Sequence, residues 1–229
     1  MEQQPYSGVE NLEVMSEARN YNEYLLRTVR SHAKPGDRIL DFGAGGGQFA
    51  VPLSKSGLDV TALEPDGLLR HRIAARGVAT TANLDAMQDE SFDYIYTLNV
   101  LEHIDDDTGT LRQLHSKLAR NGTILVYVPA FPVLYSSMDA KVGHVRRYTR
   151  ARLEAPVVQA GFRVRELAYV DSLGFFATLV FKAFDSNDGA VNVRALKAYD
   201  RIGFPVSRVF DLVTSRWFGK NLILVACKP

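Results

Sequence analysis

The chain is predicted to fold as an open α/β sheet, mostly parallel and covered by helices on both faces. Three observations predict it. Short apolar runs alternate with helical stretches, the order expected of strands joined by crossover helices. The run at 38–42 passes into Gly43, Gly45 and Gly47 before a helix begins, a strand–turn–helix join that brings backbone amides to a nucleotide-like ligand. About twenty residues further on, Glu64 ends the next strand, where an acid can accept hydrogen bonds from ribose hydroxyls.

The elements follow in order. Residues 12–31 place Val14, Ala18, Tyr21, Leu25 and Val29 near helical spacing, and Pro35-Gly36 stops that helix before the strand at 38–41. A helix over 48–54 follows the glycine turn, with Pro52 tolerated in its first turn and Gly57 closing it. The second strand is 59–63, and a short helix covers 66–75. After the strand at 92–98, a helix over 107–120 carries Leu111, Leu114 and Leu118, and Asn121-Gly122 supplies a left-handed stop before the strand at 123–128. Thr149 is the expected N-cap of a helix reaching Ala160, which Pro156 must kink or interrupt.

Strands at 162–170 and 221–227 stand about fifty residues apart, far beyond the usual connection of ~4–6 residues, so a helical insertion is expected between them. Within it, 173–184 is almost wholly apolar and 195–217 mixes apolar with basic residues. Helices packed over a pocket mouth, an interfacial membrane helix and a homodimer interface all fit this texture. A run of ~12 apolar residues can lie on a bilayer without crossing it. Ser186-Asn187-Asp188-Gly189 reads as a polar turn at the tip of the insertion.

With 229 residues, 46% of them hydrophobic, the chain suits one domain with insertions. Its expected parts are an N-terminal helical segment at 10–36, a ligand-binding core at 37–130, a substrate-side loop at 131–150 and a helical lid at 171–220. Twenty-seven basic against 26 acidic side chains provide no global field for nucleic acid. The single cysteine, Cys227, excludes an intrachain disulfide and suits a cytoplasmic setting. The first ten residues lack the basic and apolar regions of a signal peptide.

The glycine spacing is Gly-x-Gly-x-Gly, and Gln48 stands where the dinucleotide fingerprint requires its last glycine, which leans away from a nicotinamide dehydrogenase. Four segments in order resemble another family, the class I S-adenosylmethionine-dependent methyltransferases. They are Leu40-Asp41-Phe42-Gly43-Ala44-Gly45-Gly46-Gly47, Ala62-Leu63-Glu64-Pro65-Asp66, Ser91-Phe92-Asp93-Tyr94-Ile95 and Asn99-Val100-Leu101-Glu102-His103-Ile104. The resemblance covers roughly residues 10 to 130 and the last strand.

It implies a Rossmann-like, seven-stranded, mostly parallel sheet with an antiparallel last strand, and S-adenosyl-L-methionine as cofactor. It also implies that Asp41, Gly43, Gly45 and Gly47 lie against the cofactor's methionine part and that Glu64 holds its ribose. Asp85 and Ala86 then face the adenine, or Asp85 forms a loop turn, and Asn99 or Val100 sits beside the methyl group. Glu102-His103 resembles a stretch of quinone and small-molecule methyltransferases, with His103 either a base or a structural turn histidine on the substrate side. A cation held by Glu102, His103 and Asp105 competes with a solvated helix cap at 105–107, and no metal is expected.

Two further segments, 17–22 and 138–149, resemble a narrower, type 11/12-like group of bacterial small-molecule methyltransferases. Their positions put Tyr21 over the cofactor's carboxylate end, or packed on the sheet. They put His144, Arg146, Arg147 and Tyr148 at the substrate end, joined by Tyr135 and Phe175. An imidazole suits proton acceptance near neutral pH, and arginine forks suit a carboxylate or phosphate. Alternatively, the arginines pair with Asp139 or cap helices, and His144 holds the loop.

The resulting expectation is methyl transfer to an oxygen, nitrogen or activated carbon of a small molecule, with His144 and Tyr148 catalytic and S-adenosylhomocysteine as product. A lipid, quinone or prenyl-linked acceptor, approached through peripheral membrane contact at 173–184, is the alternative within that chemistry. A cofactor-binding protein without transferase activity is the alternative outside it. Nucleic-acid methylation is disfavoured because the chain has no Asn-Pro-Pro-Tyr or Asp-Pro-Pro-Tyr motif.

Overall fold

Seven strands form one sheet in a computed structural model that describes residues 14–183 and 192–229. They are β1 (Arg38–Phe42), β2 (Asp59–Leu63), β3 (Ala79–Thr81), β4 (Phe92–Leu98), β5 (Leu118–Pro129), β6 (Arg163–Val170) and β7 (Asn221–Cys227). Their order is β3-β2-β1-β4-β5-β7-β6, with β1 to β5 parallel and β7 antiparallel to both its neighbours. This is the expected fold. The chain builds outward from β1 to β3, then returns to start β4 on β1's other side, so a crevice opens where the carboxyl ends of β1 and β4 diverge.

Burial on both faces explains the continuous apolar runs. Ile39, Tyr94 and Leu125 point into one core, whereas their neighbours Leu40, Ile95 and Val126 point into the other. The first core is closed by Leu25 and Val29 of α1 (Arg19–His32), Val51 of α2 (Ala50–Lys55) and Ile73 of α3 (Gly67–Ala74). The second is closed by Leu111 of α4 (Asp107–Lys117) and Leu153 of α6 (Arg150–Gln159), with the short α5 (Ser137–Val142) between them in sequence. The insertion supplies α7 (Ser172–Ala183), α8 (Val193–Ala198), a π-helical turn Tyr199–Gly203 and α9 (Phe204–Thr214).

Several boundaries differ from expectation. Helix α4 ends at Lys117 because Leu118 already pairs with Phe92, and Asn121, at φ +62°, bends the chain inside β5 rather than closing a helix. Pro156 does not interrupt α6, since its carbonyl still accepts the Ala160 amide at 2.9 Å. The leading helical stretch is broken rather than continuous: residues 14–16 are helical, the chain leaves the helix at Glu17 and Ala18, and α1 begins at Arg19. The expected turn at 186–189 lies outside the described residues.

Candidate active site

A cavity of about 1430 Å³ opens at the crevice, lined by Gly43, Gly45, Glu64 and Asn99 on one side and by His144, Arg147 and Lys220 on the other. Typical ligand pockets hold about 300–1000 Å³, so there is room for two molecules side by side.

The first wall follows from glycine. Gly43 has φ +81°, and a Cβ there would sit 2.4 Å from Val100 Cγ2, so the turn presses directly on the exit of β4. Gly47 lies behind the wall, where a Cβ would stand 2.9 Å from Ile73 Cγ1, and serves helix packing. The Gly45 amide donates to Glu64 Oε2 at 2.7 Å and the Asp66 amide to Oε1 at 2.9 Å. A carboxylate has about four acceptor sites, so two remain for a ligand's hydroxyls.

Burial pushes the Glu64 carboxyl up, while the two amides draw it down. Burial raises Asp41 to about 7, with the Tyr96 hydroxyl and Ala50 amide opposing and Glu64 reinforcing. Asp41 Oδ2 has no hydrogen-bond partner among the described residues, and a buried orphan acceptor beside a cavity is a position for a ligand's donor.

At the end of β4, Asn99 adopts φ +55° and donates its amide to Tyr127 at 2.8 Å. Tyr21 both lines the cavity and packs edge-on against Tyr127 and Phe204, with centroids 6.2 and 5.5 Å away. Burial pushes its hydroxyl up to about 12. Asp85 and Ala86 are exposed and lie apart from the cavity lining, the Ala86 amide being held by Asn83 Oδ1 at 3.1 Å.

The far wall centres on Asp139. A capping box with Ser136 places Asp139 in the first turn of α5, and the chain returns after Gly143, at φ +81°. Asp139 Oδ1 lies 2.6 Å from His144 Nδ1, and Arg147 grips both carboxylate oxygens, from Nε at 2.8 Å and Nη2 at 2.9 Å. Burial alone would raise Asp139, but His144 and Arg147 outweigh it and hold the carboxyl well below the ordinary range. An ionised Asp139 places the His144 proton on Nδ1 and leaves Nε2 as an acceptor.

Nε2 stands 3.7 Å from Oε1 of Glu102. Glu102 is fully buried, with neither carboxyl oxygen hydrogen-bonded among the described residues. Burial raises it to about 8, Arg147 opposing and Asp139 reinforcing. His103 meets His144 edge-on at 4.6 Å, and burial with that neighbour lowers it to about 4. Glu102, His103 and His144 bring potential ligand atoms within 4.8 Å of one another, a group that does not include Asp105.

Four of the residues expected at the substrate end face elsewhere. The Tyr148 hydroxyl donates to Asp107 Oδ2 at 2.9 Å and lies 3.2 Å from the Leu101 carbonyl oxygen. Arg146 also pairs with Asp107, at 2.8 Å. Tyr135 donates to the His144 carbonyl at 2.7 Å and so braces the loop from behind. Phe175 packs against Phe131 and Phe218.

Lys220, which no motif marks, is brought in instead. Its amide donates to the Asp171 carbonyl and its carbonyl accepts the Ala130 amide, both at 2.9 Å. Burial lowers its ammonium, against the pull of Asp171 and Asp139.

A glycine turn, a strand-end acid and an orphan carboxylate at the switch point define an α/β protein built to hold a nucleotide-bearing ligand. Residues 15–167 match the profile of a methyltransferase domain family, and the chain belongs to that family. The ubiquinone biosynthesis O-methyltransferase of Azorhizobium caulinodans is 30% identical over 155 residues, 58% of this chain and 61% of that protein. Its Xanthomonas campestris counterpart is 31% identical over 104 residues, 41% of this chain and 44% of the relative. The chain thus matches at most about three-fifths of the length of these relatives.

Among solved structures, an S-adenosylmethionine-dependent methyltransferase of Thermotoga maritima aligns with a TM-score of 0.66 at 20% identity, over 96% of this chain and 95% of that one. Phosphoethanolamine N-methyltransferase 2 of Haemonchus contortus, solved with S-adenosyl-L-methionine, gives 0.62 at 17% identity, over 92% and 52%. At these identities the likeness is one of fold. No helix among the described residues is long and apolar enough to cross a membrane.

Proposed function

We propose that the chain transfers a methyl group from S-adenosylmethionine to a small-molecule acceptor, with His144 as the proton acceptor. One observation carries this reading: the glycine-turn wall and the Asp139–His144 wall line the same cavity. Glu64 would hold the ribose through its two spare acceptor sites, and Asp41, Gly43 and Gly45 would meet the amino-acid part, with Tyr21 closing over it. S-adenosylmethionine supplies a sulfonium-bound methyl group and leaves as S-adenosylhomocysteine.

The chain's own task is to align the acceptor, exclude water and take one proton. As the acceptor's O–H or N–H gives up its proton, His144 Nε2 receives it, and the imidazolium is stabilised by Asp139 on its other nitrogen. Glu102, buried behind His144 and neutral below about pH 8, adds no competing anion there. Lys220 supports an acceptor oxygen that becomes negative during transfer. The curated relatives are named for O-methylation in ubiquinone biosynthesis, which favours an oxygen acceptor on an apolar ring. Apolar Ala177, Phe181 and Leu196 in the lining favour the same class, including a quinone or prenyl-linked acceptor.

Release of S-adenosylhomocysteine across a panel of phenolic acceptors tests the proposal. His144→Ala is expected to slow turnover by about 100-fold or more while calorimetric binding of S-adenosylhomocysteine persists. Unchanged turnover across pH would remove His144 from the mechanism, and donor left unconsumed with every acceptor would indicate a binding protein.

A further inference from the structure

Helix α9 is inside out. Its buried positions are Phe204, Ser207 and Asp211, two of them polar, and both polar side chains are committed to α7. Asp211 accepts the Asp171 and Ser172 amides at 2.8 and 2.9 Å, and Ser207 accepts the Leu173 amide at 2.9 Å. These are backbone donors that the start of a helix leaves without partners. With its polar groups turned inward, the helix shows its apolar side outward. Leu212 is 83% exposed and Val213 68%, and Val209, Phe210 and Trp217 are exposed beside them. A surface helix ordinarily has the reverse arrangement, and a contiguous exposed apolar face marks an interaction site.

Charge selects the partner. Between 192 and 217 the only acids, Asp200 and Asp211, are buried, whereas Arg194, Arg201 and Arg216 are exposed. Lys197 is paired with Glu17 at 2.9 Å. A second copy of this face would bring arginines against arginines. An anionic lipid surface accepts both the apolar side chains and the cations, and an indole settles at headgroup depth.

We propose that the outer face of α9, continued by Trp217, docks on an anionic bilayer. The inner side of the same insertion, through Thr178, Leu196 and Tyr199, lines the cavity, so docking brings that lining close to the lipid. The proposal does not depend on methyl transfer.

Trp217 is the chain's single tryptophan and therefore its own reporter. The full chain is titrated with phosphatidylcholine vesicles, with and without phosphatidylglycerol, while emission and co-sedimentation are followed. A blue shift and co-sedimentation with the anionic vesicles, weakened by salt, are expected. Leu212→Glu/Val213→Glu should weaken partitioning by about tenfold or more, with the thermal midpoint and S-adenosylhomocysteine affinity unchanged. Arg201→Gln/Arg216→Gln should erase the preference for anionic vesicles. Absence of binding to either vesicle overturns the proposal, as does equal partitioning of the Leu212/Val213 variant. A vesicle-indifferent dimer that this variant splits, seen by sedimentation, overturns it in favour of a second copy.

Discussion

Glu102 is buried without a hydrogen-bond partner among the described residues and raised to about 8, so it links stability to pH with a definite sign. The folded state holds a proton that the unfolded state, with an ordinary value near ~4.3, has released. Its contribution is fully present below that value and is lost as pH rises towards 8. Glu102→Gln should therefore flatten the fall in thermal midpoint between these limits, gaining of the order of 4–5 kcal/mol over wild type near pH 8. His103, lowered to about 4, acts with opposite sign, adding stability as pH rises from 4 to its ordinary ~6.5. Comparing the variant with wild type in the same buffers isolates Glu102.

Asp139→Asn should lose the Arg147 pairing and leave a buried guanidinium uncompensated, costing about 3–5 kcal/mol, seen as a lower denaturation midpoint. The His144–Arg147 end of this cluster was legible as a run of titratable side chains. The outward turn of Arg146 and Tyr148 was not, because their partner Asp107 lies some forty residues away, and no local pattern reveals it.

At the scale of elements, Asp200 ties the insertion to the first helix. Its carboxylate accepts the Asn20 and Tyr21 amides, both at 2.9 Å, and its carbonyl accepts from the Asn20 side chain at 2.8 Å. Ala18 stands at the N-cap of α1 without a capping side chain, so a residue from the far end of the chain does that work. Asp200→Ala should cost about 1–2 kcal/mol, a fall in thermal midpoint of roughly 2–8 °C. It should also weaken S-adenosylhomocysteine binding by freeing Tyr21.

Such caps are invisible to local spacing, which runs straight through the break at 17–18 that separates the helical residues 14–16 from α1. The buried strands were readable because burial on both faces demands uninterrupted apolar runs. β3, an Ala-Thr-Thr edge strand with no fully buried residue, has no such run.

Over the whole molecule, legibility follows how local each wall of the cavity is. The glycine-turn wall comes from one turn and the end of the adjacent strand, so Gly43, Gly45 and Glu64 stood out together. The opposite wall joins His103, Asp139, His144 and Lys220 from separate segments, and only folding reveals it as a wall. A ligand that occupies the glycine-turn wall should stabilise the whole fold by mass action. S-adenosylhomocysteine at a hundred times its Kd should add about 2.7 kcal/mol, raising the thermal midpoint by roughly 5–11 °C. NAD should add nothing, given the glycine spacing.

Glu64→Gln tests the assignment because the amide must turn an NH₂ towards either the Gly45 or the Asp66 amide, both of them donors. The variant should melt somewhat lower without ligand and lose most of the ligand-induced rise. An undiminished rise would place the ribose away from Glu64, and an equal rise with NAD would return the turn to dinucleotide binding.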